Sequence, residues 1–219
     1  MKPFKMEAKL DGIRNLLSNL YGEVTGLEQS YSEMLVILRK LEGICQVDDL
    51  TGLMRRNSFF SKWEKLLEEC QSLNESSGLL LIDIDHFKQV NDTHGHPTGD
   101  EVIARVADLL KQYQSPDCLI GRYGGEEFVV AIRGTDAQTL ATAEMIRRNV
   151  ERLHGPVLDG EGKSQANVEW KCTVSVGMVS TRENRARNSE CYDATRLLKE
   201  ADEALYTAKR KGRNQVRAA

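Results

Sequence analysis

One short run, LLLIDID at residues 79–85, constrains the fold of this chain more than any other stretch. A continuous apolar run of this length that ends in acidic residues is typical of a strand buried on both faces in the interior of a sheet. We therefore expect a sheet with this strand near its centre and with helices covering it on both sides.

The segments that follow this strand fix the order of the remaining elements. Up to the alternating run WKCTVSVGMVS at 170–180 the order is strand, helix, strand, strand, helix, strand. That order is the plan of the ferredoxin-like βαββαβ core, so the prediction is an α+β domain with a central antiparallel sheet flanked by helices. The predicted helices are 57–73, 87–93, 100–113, 136–153 and 191–212. The other two strands of the core are predicted at 118–123 and 127–132. We also expect a short hairpin within 155–169 and a last short strand from Val216 onward.

Before the globular part, apolar residues recur at alternating intervals of three and four from Leu10 to Cys45. This heptad pattern predicts one long N-terminal helix whose stripe needs a partner helix. A helix of about 35 residues is roughly 50 Å long, too long to pack only on its own small domain. We interpret it as a parallel dimeric coiled coil that is weakened at its glycines. The stripe consists of Leu10, Ile13, Leu17, Leu20, Val24, Leu27, Tyr31, Met34, Leu38, Leu41 and Cys45, and the glycines are Gly12, Gly22 and Gly26.

The sequence therefore predicts a coiled-coil dimerisation helix at 1–47 and a globular domain at 48–219. The formal net charge of -3 gives no reason to expect a nucleic-acid polymer as a partner. No apolar run reaches the length of a membrane span. The 5 cysteines are widely spaced and show no CxxC pattern, which is typical of reduced thiols in a cytoplasmic protein.

Acidic residues from two places are predicted to meet at one edge of the sheet. Asp83 and Asp85 end the central strand. Glu126 and Glu127 follow the glycine turn of RYGGEEFVV at 122–130, and the first and third strands are neighbours in this fold. Clustered carboxylates repel each other unless a cation joins them, and hard oxygen ligands suit Mg²⁺. Taken singly, Asp83 could be a capping acid and the glutamates a charged hairpin tip.

Two further clusters each have a structural and a functional interpretation. FKQVNDTHGHPTGDE at 87–101 can be a polar loop with Asp100 as a helix N-cap, or a pocket that hydrogen-bonds guanine. Its His-Gly-His triplet is only a weak metal signal. AKRKGRNQ at 208–215 can be a basic helix C-terminus, or it can hold phosphate oxygens. In the second case Lys209 and Arg213 would share a helical face if the helix persists that far.

Together these motifs resemble the GGDEF family, the diguanylate cyclases. GGEEF at 124–128 looks like the family signature, preceded here by Arg122 and Tyr123, and the resemblance covers residues 48–217. A single GGEEF would be a weak signal, but the other family motifs occur in the family order. They are DDLTGL at 48–53, DIDHFKQVND at 83–92, HGHPTGD at 94–100 and ADEALYTAKRKGRN at 201–214.

The resemblance implies that two GTP condense to cyclic di-GMP with release of two pyrophosphates. Asp83, Glu126 and Glu127 would be catalytic and, with the Ile84 carbonyl, would ligate Mg²⁺ or, as an alternative, Mn²⁺. Glu126 is also the family's candidate for accepting the 3′-hydroxyl proton. The implied substrate contacts are Phe87 and Lys88 to the triphosphate, Asn91 and Asp100 to guanine, Arg122, Lys209 and Arg213 to phosphates, and the backbone of Gly124 and Gly125 beside the nucleotide.

Each domain would hold one GTP, so two domains must face each other as a homodimer that the coiled coil brings together. An upstream sensor acting through the coiled coil is also implied. Because the signature acids are present, an active cyclase is favoured over a GTP-binding module that catalyses nothing. Many family members carry an inhibitory RxxD motif, whose positions are Ser115 and Cys118 here, so we expect no product inhibition through that site.

Overall fold

The computed structural model describes residues 46–181 and 193–219, together with three isolated helical residues, Leu16, Tyr31 and Met34. The chain divides into two compact units, Met1–Cys45 and Gln46–Ala219. The predicted coiled coil falls almost entirely outside the described residues, so it stays a prediction. The second unit contains the sheet, the helices that cover it and the candidate site.

A six-stranded sheet forms the centre of the second unit. Its strands are β1 (Met54–Arg55), β2 (Ser77–Ile84), β3 (Cys118–Gly124), β4 (Glu127–Arg133), β7 (Val174–Ser180) and β8 (Val216–Ala218), while β5 (His154–Leu158) and β6 (Ser164–Lys171) form a separate hairpin. The helices are α1 (Arg56–Ser72), α2 (Phe87–His94), α3 (His96–Lys111), α4 (Asp136–Glu151) and α5 (Ala194–Arg210). None of the described helices has both the length and the apolar character needed to cross a membrane.

The strand order β1-β3-β4-β2-β7-β8 places the LLLIDID strand, β2, in the interior of the sheet, as predicted. β2 is antiparallel to both of its neighbours, β4 and β7, and β3 is antiparallel to β4. These four strands form the predicted ferredoxin-like core. The edge strands β1 and β8 are added in parallel, so the complete sheet is mixed and only its core is antiparallel.

The side chains of β2 point alternately into two apolar layers. Leu80, Ile82 and Ile84 pack with α2, α3 and α4, whereas Leu79 and Leu81 pack with α1 and α5. All of these side chains are at most 1% exposed, and each contributes about 1.5–3 kcal/mol relative to an exposed position. Burial on both faces explains why the run is continuously apolar.

The predicted start of the helix at Asp100 is wrong, because α3 begins at His96. Pro97 occupies the first turn, where its missing N–H is not needed and its fixed φ suits the helix. Asp100 therefore lies inside α3 and does not cap it.

The predicted strand 170–180 is two strands in the structure. β6 continues to Lys171 and β7 begins at Val174. The division arises because Trp170 belongs to the β5–β6 hairpin, where it pairs with Gly155 and its ring lies against that residue.

α5 approaches the sheet very closely at Gly177 of β7. A Cβ at this position would lie 2.1 Å from the Ala201 carbonyl oxygen and 2.4 Å from the Leu205 nitrogen, so a side chain cannot be accommodated. This contact holds the C-terminal part of α5, which carries Lys209, against the sheet.

The described cysteines fit the prediction of reduced thiols. Cys70, Cys118 and Cys172 are buried and free. Burial raises the pKa of Cys118 to about 11 and the pKa of Cys172 to about 12. Because the thiolate is the reactive form, both side chains are inert packing residues.

Candidate active site

The acids of the two predicted clusters lie together at one edge of the sheet. Asp83, near the end of β2, is the register partner of Glu127 at the start of β4. The Ile84 N–H donates to the Glu126 carbonyl oxygen at 3.4 Å, which holds the signature turn beside the end of β2. The structure thus brings together Asp83, Ile84, Glu126 and Glu127.

Burial and mutual repulsion shape the charges at this edge. Asp83 is 7% exposed, and burial raises its pKa above the ordinary value although the hydrogen bond from Lys209 acts in the opposite direction. Burial also raises the pKa of Glu127, and the negative charge of Asp83 adds to that rise. Lys209 Nζ lies 2.7 Å from Asp83 Oδ2. A lysine ammonium therefore neutralises the more deeply buried carboxylate.

We expect the substitution Glu127→Gln to raise the melting temperature at pH 7 by about 1–3 °C in a metal-free buffer. A carboxyl group whose pKa is raised by folding destabilises the folded state once pH exceeds that pKa, and the amide removes this penalty. Below the ordinary carboxyl range near pH 4 the group is protonated in both states. The two proteins should then unfold at similar temperatures.

Scanning calorimetry with EDTA measures this difference, and Glu64→Gln on the exposed side of α1 is the matched control. A lower melting temperature for Glu127→Gln than for the control would contradict the prediction.

The carboxylate and carbonyl oxygens at this edge are ligands of the type that Mg²⁺ prefers. They do not by themselves form a complete set of metal ligands. Burial and mutual repulsion disfavour the charged carboxylates of Asp83 and Glu127, and a divalent cation with oxygen preference would relieve both effects. Within 46–181 and 193–219, no three carboxylate, imidazole or thiol side chains converge into a metal-binding group. Mg²⁺ is commonly held by one or two carboxylates together with substrate phosphates, and the residues present are suited to that arrangement.

The signature turn is open on the side of its glycines. Gly125 has a φ of +35°, and a Cβ there would meet no atom within 4 Å. The pairing of β3 and β4 shifts register between Arg122 and Gly124, which bends the strand end. Backbone without side chains at such a turn allows close approach of a ligand.

The guanidinium of Arg122 is hydrogen-bonded to other residues of the protein. The sequence predicted only a contact to phosphate for this residue. Its guanidinium donates to the Gly125 carbonyl oxygen at 3.0 and 2.8 Å and to Asp48 Oδ1 at 2.9 Å. Asp48 also accepts from the Thr51 N–H and hydroxyl at 2.9 and 2.7 Å. The first acid of DDLTGL is thus tied to the signature turn, a role that the sequence analysis missed.

We expect Arg122→Ala to lower the free energy of unfolding by about 1–3 kcal/mol at pH 7, because it removes charge-assisted bonds from a partly buried pair. Burial alone would raise the pKa of Asp48, but the bonds from Thr51 and Arg122 outweigh it and leave this pKa below its ordinary value. A lowered carboxyl pKa gives stability that is complete above about pH 4 and is lost as pH falls through the folded-state pKa. The loss caused by the substitution should therefore shrink on acidification.

Urea unfolding at pH 7 and at about pH 3 tests this dependence. The matched control is Arg105→Ala, whose side chain is 55% exposed in its pair with Glu101 and whose loss should cost only about 0.5 kcal/mol. An equal loss for Arg122→Ala at both pH values would refute the assigned ion pair.

The predicted guanine contacts lie where α2 meets α3. Asn91 Oδ1 is buried without a hydrogen-bond partner among the described residues, beside Gly99, where a Cβ would lie 2.0 Å from it. A buried acceptor of this kind is costly unless a ligand donor reaches it. The ring of Phe87 also lies close to Gly99, and this residue is 9% exposed. Lys88 and Asp100 are exposed.

The basic residues Lys209 and Arg213 do not share a helical face, which corrects the interpretation of their spacing. α5 ends at Arg210 because Gly212 adopts a φ of +111°. The Arg213 N–H then donates to the Ala208 carbonyl oxygen at 3.0 Å, as in a Schellman turn. Lys209 thus extends from the last helical turn, while Arg213 is exposed on the turn beyond it.

Asp85 is held by its own set of hydrogen-bond donors, although its negative charge also contributes to the raised pKa of Asp83. It is 5% exposed and accepts from the Ser175 hydroxyl at 2.6 Å, the Thr173 hydroxyl at 2.7 Å and the Asn214 N–H at 3.0 Å. It joins the end of β2 to the start of β7 and to the turn after α5. No pattern in the sequence predicts this role of Asp85.

Ser115 and Cys118 occupy the positions of the RxxD motif, and neither side chain has the charge of the motif's arginine or aspartate. Ser115 and Cys118 exchange backbone hydrogen bonds at 3.2 and 3.1 Å, and Cys118 is 8% exposed. The expectation of no inhibition through this site stays a prediction.

Comparison with known proteins identifies relatives of this domain. The model of the GGDEF family, described as diguanylate cyclase, GGDEF domain, matches residues 45–215. The probable diguanylate cyclase DgcT of Escherichia coli (strain K12) is 41% identical over 180 residues, which cover 82% of this chain and 37% of DgcT. The chain therefore spans little more than a third of the length of that relative.

Solved structures share the fold, including one from Caulobacter crescentus and one from Vibrio cholerae. The coiled coil and GGDEF domain of DgcB from Caulobacter crescentus, in complex with c-di-GMP, is 30% identical with a TM-score of 0.71, covering 88% of this chain and 97% of that one. The active GGEEF domain of a diguanylate cyclase from Vibrio cholerae is 28% identical with a TM-score of 0.62, covering 76% and 97%. Since the family match includes every element of the sheet edge described above, the chain belongs to the GGDEF family of diguanylate cyclases.

Proposed function

We propose that this chain is a diguanylate cyclase, which condenses two GTP into cyclic di-GMP and two pyrophosphates. The observation that carries the proposal is the pairing of Asp83 with Glu127 across β2 and β4, with Lys209 Nζ 2.7 Å from Asp83. Membership of the family and a complete GGEEF signature support it.

Asp83, Glu126, Glu127 and the Ile84 carbonyl oxygen would hold Mg²⁺, with Mn²⁺ as an alternative. When bound, the ion offsets negative charge on the triphosphate and on the leaving pyrophosphate. The protein's own part is to keep hard oxygen donors together at a partly desolvated sheet edge. Lys209 supports this by supplying positive charge next to Asp83.

The substrate contacts that we propose surround this edge. Guanine would lie at the junction of α2 and α3, where the unpartnered oxygen of Asn91 offers an acceptor. The triphosphate would run along the N-terminus of α2 towards the end of α5. The residues assigned to these contacts are Asn91 and Asp100 for guanine, and Phe87, Lys88, Arg122, Lys209, Arg213 and the backbone of Gly124 and Gly125 for the phosphates.

The chemical step requires the 3′-oxygen of one GTP to attack the α-phosphate of the other in line. Glu126, half-buried at the open turn, is the group that we assign as acceptor of the 3′-hydroxyl proton. Lys209 and Arg213 would orient the phosphates so that pyrophosphate leaves opposite the attacking oxygen.

One domain cannot complete this reaction, because each domain binds one GTP. Two domains must face each other, and a coiled coil at 1–47 would hold them at an effective concentration of roughly millimolar. An upstream sensor would then act by changing the register or separation of the coiled coil. GTP as the substrate is consistent with a cytoplasmic protein.

The proposal is tested with purified protein, GTP and Mg²⁺, with the products separated by chromatography. We expect cyclic di-GMP and pyrophosphate in a ratio of one to two. Binding of GTP without product, even at high protein concentration, would favour a GTP-binding module without catalysis.

A further inference from the structure

Asp85 has a hydrogen-bonding pattern that the proposed chemistry does not use. Both of its carboxylate oxygens are engaged: Oδ1 accepts from Ser175, and Oδ2 accepts from Thr173 and from the backbone N–H of Asn214. The Asp85 N–H also donates to the Thr173 carbonyl oxygen at 2.9 Å. A buried carboxylate with this number of donors is fixed in orientation.

The turn that Asp85 holds has an unusual backbone. Arg213 and Asn214 have φ values of +62° and +44°, a left-handed conformation that is uncommon for residues with a side chain and strained for arginine, although asparagine adopts it more readily. The backbone N–H of Asn214 donates to Asp85. Its side chain accepts from Arg147 Nη1 and donates to Glu151 Oε1, each at 2.8 Å. The strained turn is therefore anchored at both its backbone and its side chain.

Arg213 itself lacks such restraints on its side chain. Its guanidinium is exposed and makes no ion pair with another residue of 46–181 or 193–219. Its backbone N–H is bonded to the Ala208 carbonyl oxygen, while the following N–H is bonded to Asp85. The direction in which this side chain leaves the chain is thus set by these two backbone bonds.

We propose that Asp85 is a positioning residue that holds Arg213 in the orientation needed to bind the nucleotide phosphates. The inference rests on the proposed function only in that the domain binds GTP. Asp83 and Asp85, both at the end of β2, would then have different roles. Asp83 pairs with Lys209 directly, whereas Asp85 acts on the second basic residue through the backbone of the turn.

A purely structural role would consist in joining β2 to β7 through Thr173 and Ser175. Such a role predicts a loss of thermal stability that does not depend on Arg213. Positioning predicts instead that Asp85 contributes to nucleotide affinity only while the Arg213 guanidinium is present. A double-mutant cycle separates the two alternatives.

The ligand for this cycle is 3′-deoxy-GTP with Mg²⁺, which lacks the attacking hydroxyl and so reports binding without turnover. Its Kd is measured for the full chain and for Asp85→Ala, Arg213→Ala and the double variant. We expect Asp85→Ala to weaken binding roughly tenfold in the wild-type background and less than about twofold in the Arg213→Ala background. Asp85→Asn, which retains an acceptor oxygen, should weaken binding only about threefold in the wild-type background.

The matched control is Asp136→Asn, which removes the carboxylate that Ser180 contacts at the start of α4 and should leave Kd unchanged. Equal effects of Asp85→Ala in both Arg213 backgrounds would overturn the proposal, as would an unchanged Kd with a lowered melting temperature. If Asp85→Ala does not fold, the cycle is run with Asp85→Asn, where a coupling of about threefold is expected and strict additivity overturns the proposal. Wild-type protein that binds the analogue but makes no product from GTP would refute the cyclase function alone.

Discussion

Replacing Glu126 with glutamine should reduce the rate of cyclic di-GMP formation by about a thousandfold or more. The amide cannot accept the 3′-hydroxyl proton, a contribution worth typically 10²–10⁴-fold, and it is also a weaker ligand for a divalent cation. Glu126 is half-buried at the turn, and its backbone is fixed to Ile84 through the carbonyl oxygen. Its side chain is therefore free to change without disturbing that bond, so we expect a folded protein.

Initial rates at saturating GTP and Mg²⁺ measure this effect, with an unchanged melting profile as evidence of folding. Glu68→Gln on the exposed side of α1 is the control and should retain the wild-type rate. A Glu126→Gln variant within tenfold of wild type would remove Glu126 from both proposed roles. Mn²⁺ in place of Mg²⁺ should not rescue the variant, since the lost proton acceptor is independent of the ion.

Removing residues 1–45 should lower the rate per chain by roughly a hundredfold or more at about 0.1 μM protein. Without the predicted coiled coil, two domains meet only by diffusion, and the rate becomes second order in protein. The deficit should shrink as protein concentration rises towards the millimolar range that the linkage would supply. Equal rates at low concentration with and without this segment would contradict the proposed role of the helix.

The chain of residues 1–219 offers a second form of this test. Leu20→Asp with Leu27→Asp places charge on the heptad stripe, and Ser18→Asp with Thr25→Asp places the same charge off it. We expect only the first pair to give monomers by light scattering and to show the concentration-dependent loss of rate. Loss of rate in the dimeric control would indicate an effect unrelated to association.

The sheet and its acidic edge could be predicted because both depend on local patterns and on strand order. The continuous apolar run at 79–85 required burial on both faces, and the order of elements made the first and third strands neighbours. Asp83 and Glu127 then had to meet. The predicted helix start at Asp100 failed because a proline in a first turn is compatible with a helix that begins earlier.

The connections that hold the site in place could not be predicted, because they join distant positions through space. Asp48 and Arg122 are 74 positions apart, and Asp85 and Asn214 are 129 apart. No periodicity records such pairs. Spacing was also misleading at Lys209 and Arg213, since the left-handed turn at Gly212 ends the helix between them.

Because of the ion pair between Lys209 and Asp83, a metal ion that binds Asp83 would have to replace the Lys209 ammonium there. While the ammonium lies 2.7 Å from the carboxylate, a divalent ion arriving alone must compete with a cation that the protein already supplies. Phosphate oxygens that attract Lys209 would free Asp83, and an ion bound to Asp83 would in turn free Lys209 for phosphate. If the site binds both ligands as proposed, metal and triphosphate would by thermodynamic linkage each increase the affinity for the other. The domain would then favour the metal–nucleotide complex over either ligand alone.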